Sequence, residues 1–93
     1  MEREIVKKIK EYLDSQGIFC WKNHGSVFMP VGIPDLVGVL PISGRLLAIE
    51  VKQPGKKPTP AQVAFLEHLR ENNACAFIAH SVEEVKNNID SFT

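Results

Sequence analysis

The residues in this 93-residue chain whose types and spacing suit chemistry are Asp35, Glu50 and Lys52, set in a largely apolar stretch from Gly32 to Lys52. Leu36 to Leu40 and Leu46 to Val51 are apolar runs on either side of a turn near Ser43-Gly44, which predicts a β-hairpin. With a turn of even length the strands pair Pro41 with Leu46, Val37 with Glu50 and Asp35 with Lys52. Side chains alternate between faces, so Asp35, Glu50 and Lys52 then share one face at one end of the hairpin. A turn of odd length sends Asp35 to the other face. Carboxylates brought together cost free energy unless a cation lies between them, and hard oxygen ligands at this spacing suit Mg²⁺ or Mn²⁺. A metal site is one reading of the three residues; the other is an Asp35 to Lys52 ion pair on a solvated face, with Glu50 in water.

The surrounding elements must deliver these groups to one place. Ile5, Val6, Ile9, Tyr12 and Leu13 recur at helical spacing and predict a first helix over residues 2 to 15, stopped by Gly17. On a helical wheel Glu2 projects onto the centre of the apolar stripe, while Glu4, Lys8 and Glu11 project away; a charge at the helix start also fits the helix dipole. Ile18 to Lys22 predicts a short strand. A loop from Asn23 to Pro34 follows, and it either carries Lys22, Asn23, His24 and Ser26 toward a phosphate or is a plain surface connection.

After Lys52 comes a stiff basic loop, Gln53 to Pro58, and Thr59-Pro60-Ala61-Gln62 then opens a second helix that runs to Asn72 or Asn73. Thr59 as N-cap, Pro60 at the first position and Gln62 as the third make a capping box, which accounts for Gln62 and leaves it free to face the site as well. Cys75 to Ala79 reads as a buried strand parallel to Leu46 to Lys52. Ser81 caps a last helix with Glu84 as its reciprocal partner and Val82, Val85, Ile89 and Phe92 as the inward stripe. The order is αβββαβα, an α/β fold with a mixed sheet.

Composition narrows the function classes. The length suits one domain, residues 1–93, and 44% hydrophobic with 24% charged residues is ordinary for a globular protein. No apolar run approaches the roughly 20 residues of a membrane span, and the charged first helix is not a signal peptide, so a cytoplasmic protein is expected. Net charge is zero, so binding a polyanion needs a local patch; Lys7, Lys8, Lys10, Lys22, Lys52, Lys56 and Lys57 crowd the first two thirds. Cys20 with His24 and Cys75 with His80 have spacings like zinc ligands, but they belong to strands expected at opposite sheet edges, so reduced thiols are expected instead of zinc or a disulfide.

Gly32-Ile33-Pro34-Asp35-Leu36-Val37-Gly38, then Gly44-Arg45-Leu46-Leu47-Ala48-Ile49-Glu50-Val51-Lys52, then Pro58-Thr59-Pro60-Ala61-Gln62 with Phe65-Leu66, closely resembles the virus-type replication-repair nuclease (VRR-NUC) domain. That family is a compact branch of the PD-(D/E)XK restriction-endonuclease-like superfamily, and the likeness covers nearly the whole chain. It implies a three-layer core and a Mg²⁺- or Mn²⁺-dependent DNA endonuclease. Asp35 and Glu50 would hold the metal with the backbone carbonyl of Val51, Lys52 would orient or activate water, and Gln62 would lie beside the site. The family's first-helix acid falls best on Glu2, with Glu4 second. The resemblance further implies branched DNA such as four-way junctions as substrate, a homodimer, and a bacterial or phage-infected cell. Two other readings stand beside it: a catalytically silent nucleic-acid-binding or assembly module on the same fold, and an unrelated α/β domain with a surface ion pair. Asn72-Asn73 stands where relatives often carry Gly-Gly.

Overall fold

The computed structural model describes residues 1–25 and 30–92, so Ser26, one of the loop residues expected near a phosphate, lies outside the described residues. Among the described residues the chain forms α1 (Glu2–Ser15), β1 (Phe19–Lys22), β2 (Leu36–Val39), β3 (Leu46–Val51), α2 (Pro60–Glu71), β4 (Cys75–Ala79) and α3 (Val82–Phe92). The sheet order is β1-β2-β3-β4, antiparallel from β1 to β3 and parallel between β3 and β4. This is the expected αβββαβα order with a mixed sheet.

Two apolar clusters place helices on both faces. Val6, Ile9 and Leu13 of α1 and Val85 of α3 pack with Leu36, Leu47, Ile49, Val51 and Phe77 on one face, and Leu66 of α2 packs with Ala48, Ala74 and Ala76 on the other. Small residues at positions 48, 74 and 76 let α2 sit close to the sheet. β3 is the inner strand on which both layers press, so its side chains are buried on both faces, as a strand with a parallel neighbour requires.

The hairpin register differs from the expected one. Val39 pairs with Leu46 and Leu36 with Ile49, two residues away from a register in which Pro41 faces Leu46. Pro41 has no N–H to give the ladder, so the arms close at Leu40, whose N–H donates to the Arg45 carbonyl at 2.9 Å and whose carbonyl accepts from the Gly44 N–H at 3.0 Å. The chain reverses through Pro41 to Gly44, with Ile42 and Gly44 at φ of 70° and 73°. A shift of two preserves the faces, so Asp35 keeps the same face as Glu50 and Lys52. It changes the partner: one step past the Leu36–Ile49 pair, Asp35 stands opposite Glu50 and not opposite Lys52.

The helix ends follow the sequence with one exception. Thr59 and Gln62 form the reciprocal capping box, and Asn73 takes the left-handed conformation after α2 at φ 68°. At α3 the Glu84 N–H donates to the Ser81 hydroxyl at 3.2 Å, but Glu84 Oε1 accepts from the His80 N–H at 3.0 Å and meets His80 Nδ1 at 3.0 Å, not the Ser81 N–H. The imidazole draws the carboxylate one residue back and holds its pKa below the ordinary value. Phe92, expected on the inward stripe, is exposed, with the Arg45 guanidinium 4.8 Å above its ring.

Candidate active site

Five chain segments end at one rim of the sheet: the start of α1, the end of β1, the start of β2, the end of β3 and the start of α2. Glu50 lies at the centre. It is 3% exposed and, among the described residues, the one charged side chain in the core. Gln62 Nε2 donates to its Oε2 at 3.0 Å, and Lys52 Nζ stands 3.8 Å from the same oxygen. Its other oxygen, Oε1, is buried with no hydrogen-bond partner. An unpaired buried acceptor costs about 1–3 kcal/mol, so this atom calls for a donor or a cation.

Asp35 is held differently. Its Oδ2 accepts the Val51 N–H at 2.8 Å, which locks the carboxylate against the end of β3. Asn23 anchors the loop on the other side, its N–H bonding the Asp35 carbonyl at 2.8 Å and its Nδ2 the Pro34 carbonyl at 2.9 Å. Burial first, then the negative charge of Asp35, pushes the Glu50 carboxyl up to about 8, with Glu2 adding in the same direction and Lys52 opposing. Two acids on adjacent strands resist joint ionisation without a cation.

Gln62 carries both roles that its position allows. Its Oε1 accepts the Thr59 N–H at 2.9 Å and its N–H meets the Thr59 hydroxyl at 3.2 Å, so the capping box fixes the side chain while its amide nitrogen reaches Glu50. Gly32 makes this meeting possible. It sits at φ 84°, and a Cβ there would lie 2.6 Å from the Ala61 carbonyl oxygen and 2.9 Å from the Gln62 nitrogen. The loop before Asp35 thus rests directly on the first turn of α2, a contact that only glycine permits. Periodicity gave no sign of it.

Glu2 is half-buried at the start of α1, its Oε2 3.5 Å from the Gln53 N–H, whereas Glu4 is exposed. Glu2 lines two cavities. One, about 160 Å³, is walled by Arg3, Val6, Lys22, Asn23 and Asp35; the other, an open groove of about 630 Å³, by Arg3, Glu4, Lys52, Gln53, Lys56 and Lys57. Lys22 and Asn23 therefore do reach the site's border, while the exposed His24 lines neither cavity. The cations of both cavities face the acids across open space that a phosphodiester could enter, and the positive ends of α1 and α2 point the same way.

The oxygens available beside Glu50 Oε1 are of the hard kind: the Asp35 carboxylate on the neighbouring strand and the carbonyl of Val51, the residue whose N–H already meets Asp35. They fit a small divalent cation, and the partnerless Oε1 is the atom such an ion would satisfy. Among the described residues no group of three Asp, Glu, His or Cys side chains stands ready to hold a metal ion; Glu2 stands at the rim of the Asp35–Glu50 pair. Cys20 and Cys75 are free and buried, on β1 and β4 at opposite sheet edges.

A solved structure described as a VRR_NUC domain is similar over 99% of this chain and 97% of its own, with a TM-score of 0.80 and 29% identity. Another, described as a VRR_NUC domain protein, reaches a TM-score of 0.79 at 22% identity over 99% of this chain and 87% of its own, a likeness of fold alone. No curated protein matches the chain. The fold is of the nuclease type. A model of the VRR-NUC domain matches residues 4–83, and the chain belongs to that family.

Proposed function

We propose that the 93 residues act as one divalent-metal-dependent DNA endonuclease domain. The observation that carries this reading is the Asp35–Glu50 pair, opposed across two strands, with a buried Glu50 oxygen that has no partner and Lys52 3.8 Å from the other oxygen. Asp35, Glu50 and the Val51 carbonyl would hold Mg²⁺ or Mn²⁺, with Glu2 approaching from the rim. Such an ion supplies Lewis acidity toward a phosphate oxygen and lowers the pKa of water.

The chain's own groups set the rest. Lys52 presents a cation at the edge of the pair, where it can orient a water and offset charge on the phosphate. Gln62 fixes Glu50 Oε2 through its amide, leaving Oε1 as the open donor. Arg3, Lys56 and Lys57 border the larger groove and Lys22 the smaller, where they would hold the flanking phosphates in register. The likeness to the family supports branched DNA, such as a four-way junction, as substrate. It also supports a homodimer, because symmetric cutting of two strands calls for two sites about a two-fold axis, and work in the cytoplasm of a bacterial or phage-infected cell.

The test is cleavage of a labelled four-way junction and of its linear duplex arms in Mg²⁺ and in Mn²⁺. Glu50→Ala and Lys52→Ala are expected to abolish cutting while the circular dichroism spectrum is kept. Full activity in either variant removes the assignment, and equal cutting of linear duplex removes the branched substrate.

A further inference from the structure

The row of the sheet that carries the acids is followed by rows that carry aromatic rings. The Asn23 N–H bonds the Asp35 carbonyl, and Asp35 stands opposite Glu50; two residues along each strand Trp21 pairs with Val37, and two further Phe19 pairs with Val39. Side chains two residues apart share a face, so Trp21 and Phe19 lie on the face of the two carboxylates, about 7 and 13 Å from their row at a strand rise of about 3.3 Å per residue. α2 packs on β3 and β4 through Ala48, Leu66 and Ala76 and leaves the β1 rings open: Phe19 is 73% and Trp21 41% exposed, with ring centroids 5.5 Å apart. Cations stand where these rows meet the site. Lys22 follows Trp21 on the other face and, with Arg3, lines the cavity that Asp35 borders, whereas the groove beside Val37, of about 270 Å³, has Ile33, Leu46, Phe65 and Leu69 on its walls and no charged side chain.

We propose that Trp21 and Phe19 form a stacking platform for the unpaired nucleobases of a strand entering the site, with Lys22 and Arg3 holding its phosphate at the point of entry. The inference rests on the nuclease reading and deepens it by naming the feature of the substrate that is recognised: single-stranded nucleotides next to the scissile bond. Chemistry selects the occupant. A nucleotide has a charged part and an apolar part, and cations at the rim with bare rings below them match the two in that order. In a duplex the base faces are hidden in the stack, whereas in a flap, a gap or an opened branch point they are free to stack on a side chain. The platform therefore distinguishes unpaired from paired strands, which selection of branched over linear DNA requires, and it does so for any base sequence because every base has a π face.

Size favours bases over a protein. At about 150–250 Å² per aromatic side chain, the exposed parts of Phe19 and Trp21 with Val39 offer roughly 300 Å² of apolar area, well below the roughly 800 Å² that each partner gives to a standard protein interface. Two rings are enough for one or two bases. Reach agrees too: the span of about 7 Å from the carboxylates to Trp21 matches two stacked nucleotides at about 3.4 Å each.

Trp21 is the sole tryptophan, so its emission reports the platform directly. In metal-free protein at low salt, single-stranded oligothymidylate is expected to quench Trp21 emission, and a blunt-ended hairpin duplex at saturation to leave it unchanged. Phe19→Ala and, separately, Trp21→Ala, followed by anisotropy of labelled DNA, are expected to weaken single-strand binding at least about 10-fold and to leave duplex binding within about twofold, with the circular dichroism spectrum unchanged. Trp21→Phe, which keeps a ring, is expected to stay within about threefold of the wild type. Lys22→Ala is expected to weaken both ligands alike and to lower the salt slope by about one. Absence of quenching by the single strand, or equal quenching by the duplex, overturns the proposal. So does single-strand binding indifferent to both alanine variants, or Trp21 emission that moves with protein concentration alone, which would assign the face to a protein. Because no cleavage is read, the outcomes separate: quenching by a protein that does not cut in Mg²⁺ leaves the platform standing and removes the nuclease, and cutting without quenching does the reverse.

Discussion

Gly32 and Gly44 offer a matched pair of substitutions. Both have positive φ, 84° and 73°, so alanine at either carries the same left-handed penalty of about 1–2 kcal/mol, less about 0.4–1 kcal/mol for the stiffer unfolded chain. They differ in surroundings. A Cβ at Gly44 meets nothing within 4 Å, whereas at Gly32 it lies 2.6 Å from the Ala61 oxygen, 2.7 Å from the Ala61 carbon and 2.9 Å from the Gln62 nitrogen, all backbone atoms that cannot rotate aside. Restoring a 3.4 Å contact moves the loop from the start of α2 by roughly 0.8 Å. The Gln62 Nε2 to Glu50 Oε2 bond, now 3.0 Å, would stretch past hydrogen-bonding range. Gly44→Ala is therefore expected to cost about 1 kcal/mol and leave cutting within about twofold. Gly32→Ala adds about 1–3 kcal/mol of overpacking and, through a displaced site, about 100-fold in kcat/KM. Urea melts followed by circular dichroism and junction cleavage under single-turnover conditions measure the two quantities. Equal behaviour of the two variants in both assays refutes the view that Gly32 holds the two halves of the site together.

Other outcomes follow from single contacts. Glu50 binds its proton more tightly folded, at about 8, than unfolded, near 4.5; the folded state then holds the extra proton, so metal-free stability falls as pH rises from about 4.5 to about 8. Thermal melts across that range should show the decline in the wild type and a flatter profile in Glu50→Gln, and Mn²⁺ should stabilise the wild type increasingly toward pH 8; a wild-type profile parallel to that of Glu50→Gln contradicts the assignment. Thr59→Ala removes one half of the capping box and should cost about 1 kcal/mol, seen as a Tm lower by about 4–8 °C. Ile42 is a fully exposed β-branched residue at φ 70°, so Ile42→Gly should raise stability by up to about 1 kcal/mol in the same urea melts, with cleavage unchanged.

Much of the architecture was legible because it rests on local rules. Apolar periodicity marked α1, Thr59-Pro60 marked the start of α2, and the even-length turn put Asp35 on the face of Glu50 and Lys52. What escaped depends on distant backbone. The two-residue register offset arises where Pro41 cannot donate to the ladder, and strand composition alone carries no record of that bond. The packing of Gly32 on Ala61 joins residues about thirty positions apart, and one sequence shows such a contact only as a glycine in a loop. Exposure of Phe19 and Trp21 reverses the usual reading of aromatic residues in a strand as core; it follows from the reach of α2, which no pattern in β1 encodes.

The site's groups come from residues 2, 35, 50 to 52 and 62, on or beside four elements that meet only when the sheet and both helix layers are in place. A chain still emerging from the ribosome, or a proteolytic fragment lacking α2, holds Asp35 and Glu50 without Gln62 to steady them. Under the proposed function, hydrolysis would need α2 docked on the finished sheet, so a proteolytic cut between β3 and α2 is expected to abolish it even where both carboxylates remain on one fragment.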